Sequence, residues 1–254
     1  MDLCNTHLGD CLFFACDENN IGDAINGIKK SGMDLKVEDS VAGFLGVHID
    51  GYSKTSADGK KIKFICLLQT GLIDRIITAL GLDSNATGVK TPAPTDPLPH
   101  YLDGDPFDNS FNYVSVVGMC MYLCNNSHPD LAFVAVNQYS RHSHHLTMKH
   151  AEYLKRVGRY LIATRDKGMI FSPSISLKMV CYVDANFAGL YGHEDEQDPH
   201  CVKSCSGFVI YVGGCPILWS SKLQSEFSCS TMEAEYIACS KCMLRLAPAD
   251  GPSS

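Results

Sequence analysis

The sequence lacks any apolar run approaching the 18 or so residues that cross a bilayer, and its first residues show no basic stretch leading into an apolar core. The expectation is therefore a soluble, intracellular chain, not secreted and with no membrane partner. Positive charge is also short. Lys and Arg total 21 against 28 Asp and Glu, a formal charge of −7. Such a chain does not coat nucleic acid by bulk charge, so any contact with a phosphate backbone has to come from a local basic patch. Cysteine is plentiful at 13, but the paired spacings of a zinc site or a disulfide framework are missing. Cys120/Cys124 and Cys239/Cys242 fall at helical spacing, which suits small buried thiols in a reducing compartment.

With 254 residues, 45% of them hydrophobic, the chain can form one large or two ordinary globular domains. Residues 1–82 open with a strand over Cys11–Cys16, for which no strand partner is expected upstream. A helix over Asn20–Lys30 follows, with Ile21, Ala24, Ile25 and Ile28 on one side. Two β-rich runs, Ala42–Ile49 and Ile62–Leu68, flank the turn-forming Ser56-Ala-Asp-Gly59 and predict a hairpin. A helix over Gln69–Leu80 ends at Gly81. In residues 83–112 the composition changes, with Pro92, Pro94, Pro97, Pro99 and Pro106 among Asp, Asn and Thr. That density resists helix and inner strand and predicts an extended connector. Residues 113–172 are the helical region. Tyr113–Leu123 is strongly apolar, His128-Pro-Asp-Leu131 starts a second helix that runs on to Tyr139, and Thr147–Ala163 forms a third with Ala151, Leu154, Val157 and Leu161 inward. Residues 173–243 form a separate sheet with one helix, and 244–254, rich in Pro and Gly, a disordered tail. The overall class is α+β.

The stretch that organises function is Leu177–Met243. Leu177–Val183 is apolar on both alternating faces, as in a strand buried on both sides, and Asp184 sits where it emerges. A carboxylate on a rigid strand end suits a hard cation such as Mg²⁺, although Asp also simply opens loops. Phe208–Val212 and Pro216–Gln224 read as strands joined by a tight Gly213-Gly214 turn, the second carrying the only tryptophan, Trp219. Ser230-Thr-Met-Glu233 has the pattern of a capping box, which gives Glu233 a structural task. Glu235 shares a helical face with Met232, Ala238, Cys239 and Cys242, an apolar stripe expected to point at the sheet. A carboxylate there calls for a partner or a metal, unless it lies at the stripe's edge in solvent.

Four blocks in this order, Cys181-Tyr-Val-Asp-Ala-Asn-Phe-Ala-Gly189, Ser204-Cys-Ser-Gly-Phe-Val-Ile-Tyr211, Trp219-Ser-Ser-Lys-Leu-Gln224 and Ser230-Thr-Met-Glu-Ala-Glu-Tyr-Ile-Ala238, resemble the ribonuclease H domain of copia-type retrotransposon polyproteins. The resemblance extends upstream through Pro129-Asp-Leu-Ala-Phe133 and the Phe44-Leu-Gly-Val-His-Ile49 run, similar to a primer-grip hairpin, to about residue 10. It implies that Asp184 and Glu235 are catalytic, Mg²⁺-binding acids, neighbours in space, and that RNA–DNA hybrid is the partner. Two-metal hydrolysis of the RNA strand is the implied chemistry. The same resemblance aligns His7-Leu-Gly-Asp10 with the polymerase's Tyr-Val-Asp-Asp turn. Gly9 stands in place of the first acid and Asp10 is the lone polymerase remnant, which implies no polymerase activity.

In the resembled family a later strand supplies a third acid, whereas here Met243 is followed by Leu-Arg-Leu-Ala-Pro-Ala-Asp-Gly-Pro. The expectation is a truncated, inactive polyprotein segment. It would join the end of a reverse-transcriptase palm and a helical connection to part of a ribonuclease H-like sheet with one helix. The alternative is a non-catalytic nucleic-acid- or protein-binding segment. For nucleic acid, Lys149, Lys155, Arg156 and Arg159 on the third helix, with Arg165 and Lys167 beyond, are the candidate backbone contacts, or else a solvated face. The histidines His142, His144, His145 and His150 lack paired cysteines and do not argue for zinc. The acidic loop Glu194, Asp195, Glu196, Asp198 reads as solvated charge.

Overall fold

A computed structural model of the chain describes every residue except 1–2, 8–9, 15–17, 33–35, 38–45, 84–85, 96–97, 99–103, 133–136, 142–145, 173–177, 194–196, 198–200 and 247–254; for 3–7, 10–14, 18 and 137 the backbone alone is described. The chain divides into two compact units, residues 1–49 and 50–254.

In the first unit β1 (Leu3–His7) pairs antiparallel with β2 (Asp10–Phe14), Leu3 opposite Phe14 and His7 opposite Asp10. This corrects the expectation that the second strand has no partner upstream. Leu-Cys-Asn-Thr-His carries little strand signal of its own, and pairing with the β-rich β2 imposes the conformation. The helix α1 (Glu18–Lys30) half-buries Ile21, Ala24, Ile25 and Ile28, the stripe its spacing predicts.

The strand β3 (His48–Thr55), whose residues from Asp50 on belong to the second unit, joins β4 (Lys61–Leu68) and β5 (Met169–Phe171) in a sheet ordered β3-β4-β5. A turn joins β3 to β4, with Ser56 N donating to Lys60 O at 2.8 Å and Gly59 at φ 76°. The first strand of this hairpin lies six residues later than the apolar run at 42–49 suggests. A tight turn requires its strands to begin beside it, so the turn selects the polar His48–Thr55 over the apolar residues upstream, of which 41–45 lie outside the described residues.

The helix α2 (Thr70–Ala79) follows, then α3 (Tyr113–Asn126), the short α4 (Pro129–Leu131) and α5 (Asn137–Ser140), and α6 (Met148–Thr164). One core joins them: Leu72, Ile73, Ile76 and Leu80 pack with Val116, Cys120 and Leu123 and with Ala151, Leu154, Val157 and Leu161. The expected inward positions of α6 are therefore the buried ones. Between α2 and α3 the described residues of the proline-rich segment form no helix or strand, yet they do not run free. Val89 N donates to Arg159 O, Met148 N to Asp105 O and Phe107 N to Leu146 O, while Pro92, Leu98, Phe107 and Phe111 are buried. The connector is a strap along α6.

The last part is an antiparallel sheet β6 (Met179–Asn186), β7 (Cys205–Val212) and β8 (Cys215–Leu223), ordered β6-β7-β8, followed by α7 (Thr231–Leu246). Gly213 and Gly214, at φ 60° and 84°, make the two-residue turn between Val212 and Cys215, with both residues in the left-handed region that glycine enters without steric cost. The anticipated three strands thus lie side by side. One expectation fails. Within the described sheet β6 is an outer strand, with Met179 53% and Tyr182 64% exposed, not a strand buried on both faces. Its apolar composition was the misleading signal, since helix α7 covers only one of its faces. The indole of Trp219 ties this sheet to the helical core by donating to Cys124 O at 3.0 Å.

Candidate functional site

Asp184 lies two residues from the end of β6, opposite Gly207 of β7, and is exposed. Successive strand residues face opposite ways. Cys181 and Val183 pack against the cluster of Phe208, Ile210 and Cys242, so the odd-numbered residues of β6 face α7. Tyr182, whose ring meets that of Tyr211 edge-on at 5.8 Å, and Asp184 project from the other face.

The cap of α7 forms as its sequence predicts. Glu233 N donates to Ser230 Oγ at 3.2 Å, and the Glu233 carboxylate accepts from Cys229 N at 2.6 Å, one residue earlier than the usual reach of such a box. The face that α7 buries differs from expectation. Ala234, Ala238 and Cys242, four residues apart, contact the sheet; Met232 is 67% exposed, and Cys239 and Glu235 are exposed as well. The stripe 234–238–242 is centred about 60° around the helix from the direction of Glu235, and small side chains let α7 approach the sheet closely there. Glu235 is thus at the flank of α7 in solvent.

A residue that pattern reading passed over fixes both acids at one end of the sheet. Gln224, 1% exposed just after β8, donates through Nε2 to Ser206 Oγ at 2.8 Å and to Ala234 O at 3.0 Å, and its Oε1 accepts from Ser228 Oγ at 2.7 Å. Ser206 is the cross-strand partner of Ala185, next to Asp184, and Ala234 precedes Glu235. A glutamine after a strand ordinarily reads as solvated, so no local signal marks it. The carboxylates therefore share an end of the sheet but not a face. Their oxygens are the hard donors that Mg²⁺ favours, yet among the described residues no three His, Cys, Asp or Glu side chains are grouped to hold a metal ion. Two acids at one sheet end supply less than the full set of carboxylates a two-metal centre uses.

The basic residues of α6 are engaged within the protein. Arg156 donates through Nη2 to Thr91 Oγ1 and Arg159 through Nε to Thr87 O, both at 2.8 Å, fastening the strap. The Lys155 ammonium lies 5.8 Å from the Phe111 ring centre, and Lys149 is exposed near the start of the helix. Arg165 forms a two-pronged pair with Asp74 of α2, at 2.6 Å for each bond, which holds the Asp74 carboxyl below its usual range. His150 is fully buried and its Nδ1 accepts from Thr147 N at 3.0 Å, so it caps α6; His142, His144 and His145 lie outside the described residues. So do the side chain of Asp10, whose backbone is in β2, and the acids Glu194, Asp195, Glu196 and Asp198.

Fold and site together define an α+β chain in which an antiparallel sheet and one covering helix each carry an exposed acid at a common end. The chain belongs to the family of retrovirus-related Pol polyproteins of Ty/copia-type transposons. It is 36% identical over 151 residues to the retrovirus-related Pol polyprotein from transposon RE2 of Arabidopsis thaliana, a match covering 59% of this chain and 10% of that protein. It is 30% identical over 149 residues to a putative transposon Ty5-1 protein of Saccharomyces cerevisiae, covering 58% of this chain and 44% of the other. It is 36% identical over 129 residues to the secreted RxLR effector protein 161 of Plasmopara viticola, covering 51% of this chain and 84% of the other. The chain spans about a tenth of the length of the RE2 polyprotein. No protein-family model and no solved structure matches it. Among the described residues no helix is long and apolar enough to cross a membrane.

Proposed function

We propose that residues 179–246 are the part of a ribonuclease H-like unit that carries its strand acid, Asp184, and its helix acid, Glu235, and that the chain engages RNA–DNA hybrid without cutting it. On this reading the upstream part, with the hairpin β3–β4 and the helices α2 to α6, derives from the end of a reverse transcriptase and its connection. It has no polymerase activity, since Asp10 stands alone in its turn.

The observation that carries the reading is the Gln224 bracket. It holds the two acids at one sheet end, as a metal-dependent nuclease of this kind requires, while strand alternation turns Asp184 away from the α7 face. Two-metal hydrolysis needs carboxylates that converge on both ions, and an Asp184 turned from the α7 face argues against that convergence. A binding role without cleavage accounts for both facts. The reading is tested by incubating the whole chain with a labelled RNA–DNA hybrid in Mg²⁺ and in Mn²⁺, together with a hybrid-binding titration. The expected result is saturable binding and an intact RNA strand. Cleavage that disappears in Asp184→Asn overturns the non-catalytic part, and no binding to hybrid overturns the whole.

A further inference from the structure

Beneath α7 the core is thin, made chiefly of Phe208, Ile210 and Cys242 with Cys181, Val183 and Leu246 at its margin. Within it two thiols meet. Cys181 comes from β6 and packs against the cluster to which Cys242 of α7 belongs, and neither is tied up in a disulfide. Cys181 is half-buried on an outer strand and Cys242 is buried. Nothing in the proposed function uses either thiol.

We propose that Cys181 and Cys242 are a redox couple that closes to a disulfide under oxidation and fastens α7 to β6. With a low-molecular-weight disulfide as oxidant, the thiolate of Cys181, the more accessible member, attacks one of its sulfurs. The first S–S bond breaks and one small thiol leaves. The Cys242 sulfur, giving up its proton to solvent, then attacks the Cys181 sulfur of the mixed disulfide, and the second small thiol leaves. Two protein thiols are oxidised to one disulfide while one small disulfide is reduced to two thiols, which take up the two protons. Burial, together with the neighbouring Cys181 thiol, pushes the Cys242 thiol up to about 11, which suits it to the second, intramolecular step and not to first attack. The consequence is mechanical. A helix held by alanine contacts and one glutamine bracket becomes covalently anchored to the strand that carries Asp184, and the bond closes a long loop that includes β7 and β8.

The test uses the whole chain, treated with oxidised glutathione, then alkylated, digested and mapped by mass spectrometry without reduction. The expected result is a dominant link between the peptides holding Cys181 and Cys242, reversed by dithiothreitol, with slower amide exchange in α7 while the link is present. Cys239→Ala retains the link and Cys181→Ala loses it. The proposal is overturned if both thiols are recovered alkylated while exposed Cys229 or Cys239 is linked, or if the Cys181–Cys242 link forms only in denaturant.

Discussion

The side-chain amide of Gln224 donates to the main-chain oxygen of Ala234 at 3.0 Å, and through this bond the end of β8 holds the first turn of α7. The same nitrogen reaches Ser206 on β7, and the amide oxygen is taken by Ser228. All of this is buried, where an unmatched polar group is costly.

Replacing Gln224 with Ala is therefore expected to lower unfolding stability by on the order of 2–3 kcal/mol, since it leaves the buried Ser206 and Ser228 hydroxyls without their partner and removes the second bond to the Ala234 carbonyl. Urea unfolding followed by the fluorescence of Trp219, the sole tryptophan, measures it. A Gln224→Ala protein with the parent's urea midpoint would show that the bracket contributes nothing.

Stability should decline on the acid side through two named carboxylates. The hydrogen bonds from Arg165 hold Asp74 below its usual range. Burial alone would raise Asp130, but hydrogen bonds from His128 and Tyr160 outweigh it and leave it lowered as well. A carboxyl depressed in the folded state binds its proton more weakly there than in the unfolded chain. Its contribution is thus complete above about pH 4 and fades as pH falls through the depressed value. Melting temperatures taken from pH 6 downward should fall less steeply in Asp74→Asn than in the parent; parallel curves would sink the assignment.

Reversing charge at Arg156 and Arg159 tests which of two tasks they perform. Because they fasten Thr91 and Thr87 of the strap to α6, Arg159→Glu is expected to cost about 1 kcal/mol of stability and to speed proteolysis within residues 86–95. Hybrid binding should then weaken only as far as the strap loosens. If the double variant melts like the parent but loses hybrid affinity with a shallower salt dependence, the two arginines face nucleic acid instead.

The features legible in the sequence are those set within a few residues. The Gly213-Gly214 turn, the Ser230/Glu233 cap, the half-buried stripe of α1 and the inward face of α6 each rest on neighbours one to four positions away, and each forms as its pattern indicates. The locations of Asp184 at a strand end and Glu235 on the following helix were legible for the same reason. What only the tertiary structure decided is orientation. Which face of β6 is covered, which stripe of α7 is buried, and whether Arg156 and Arg159 meet solvent or the strap all depend on partners tens of residues distant. An apolar strand has the same composition in the middle of a sheet as at its margin, and a helix with small residues on one side and large ones on another has two faces to offer. The packing partner chooses between them, and that choice turns Asp184 away from the helix that bears Glu235.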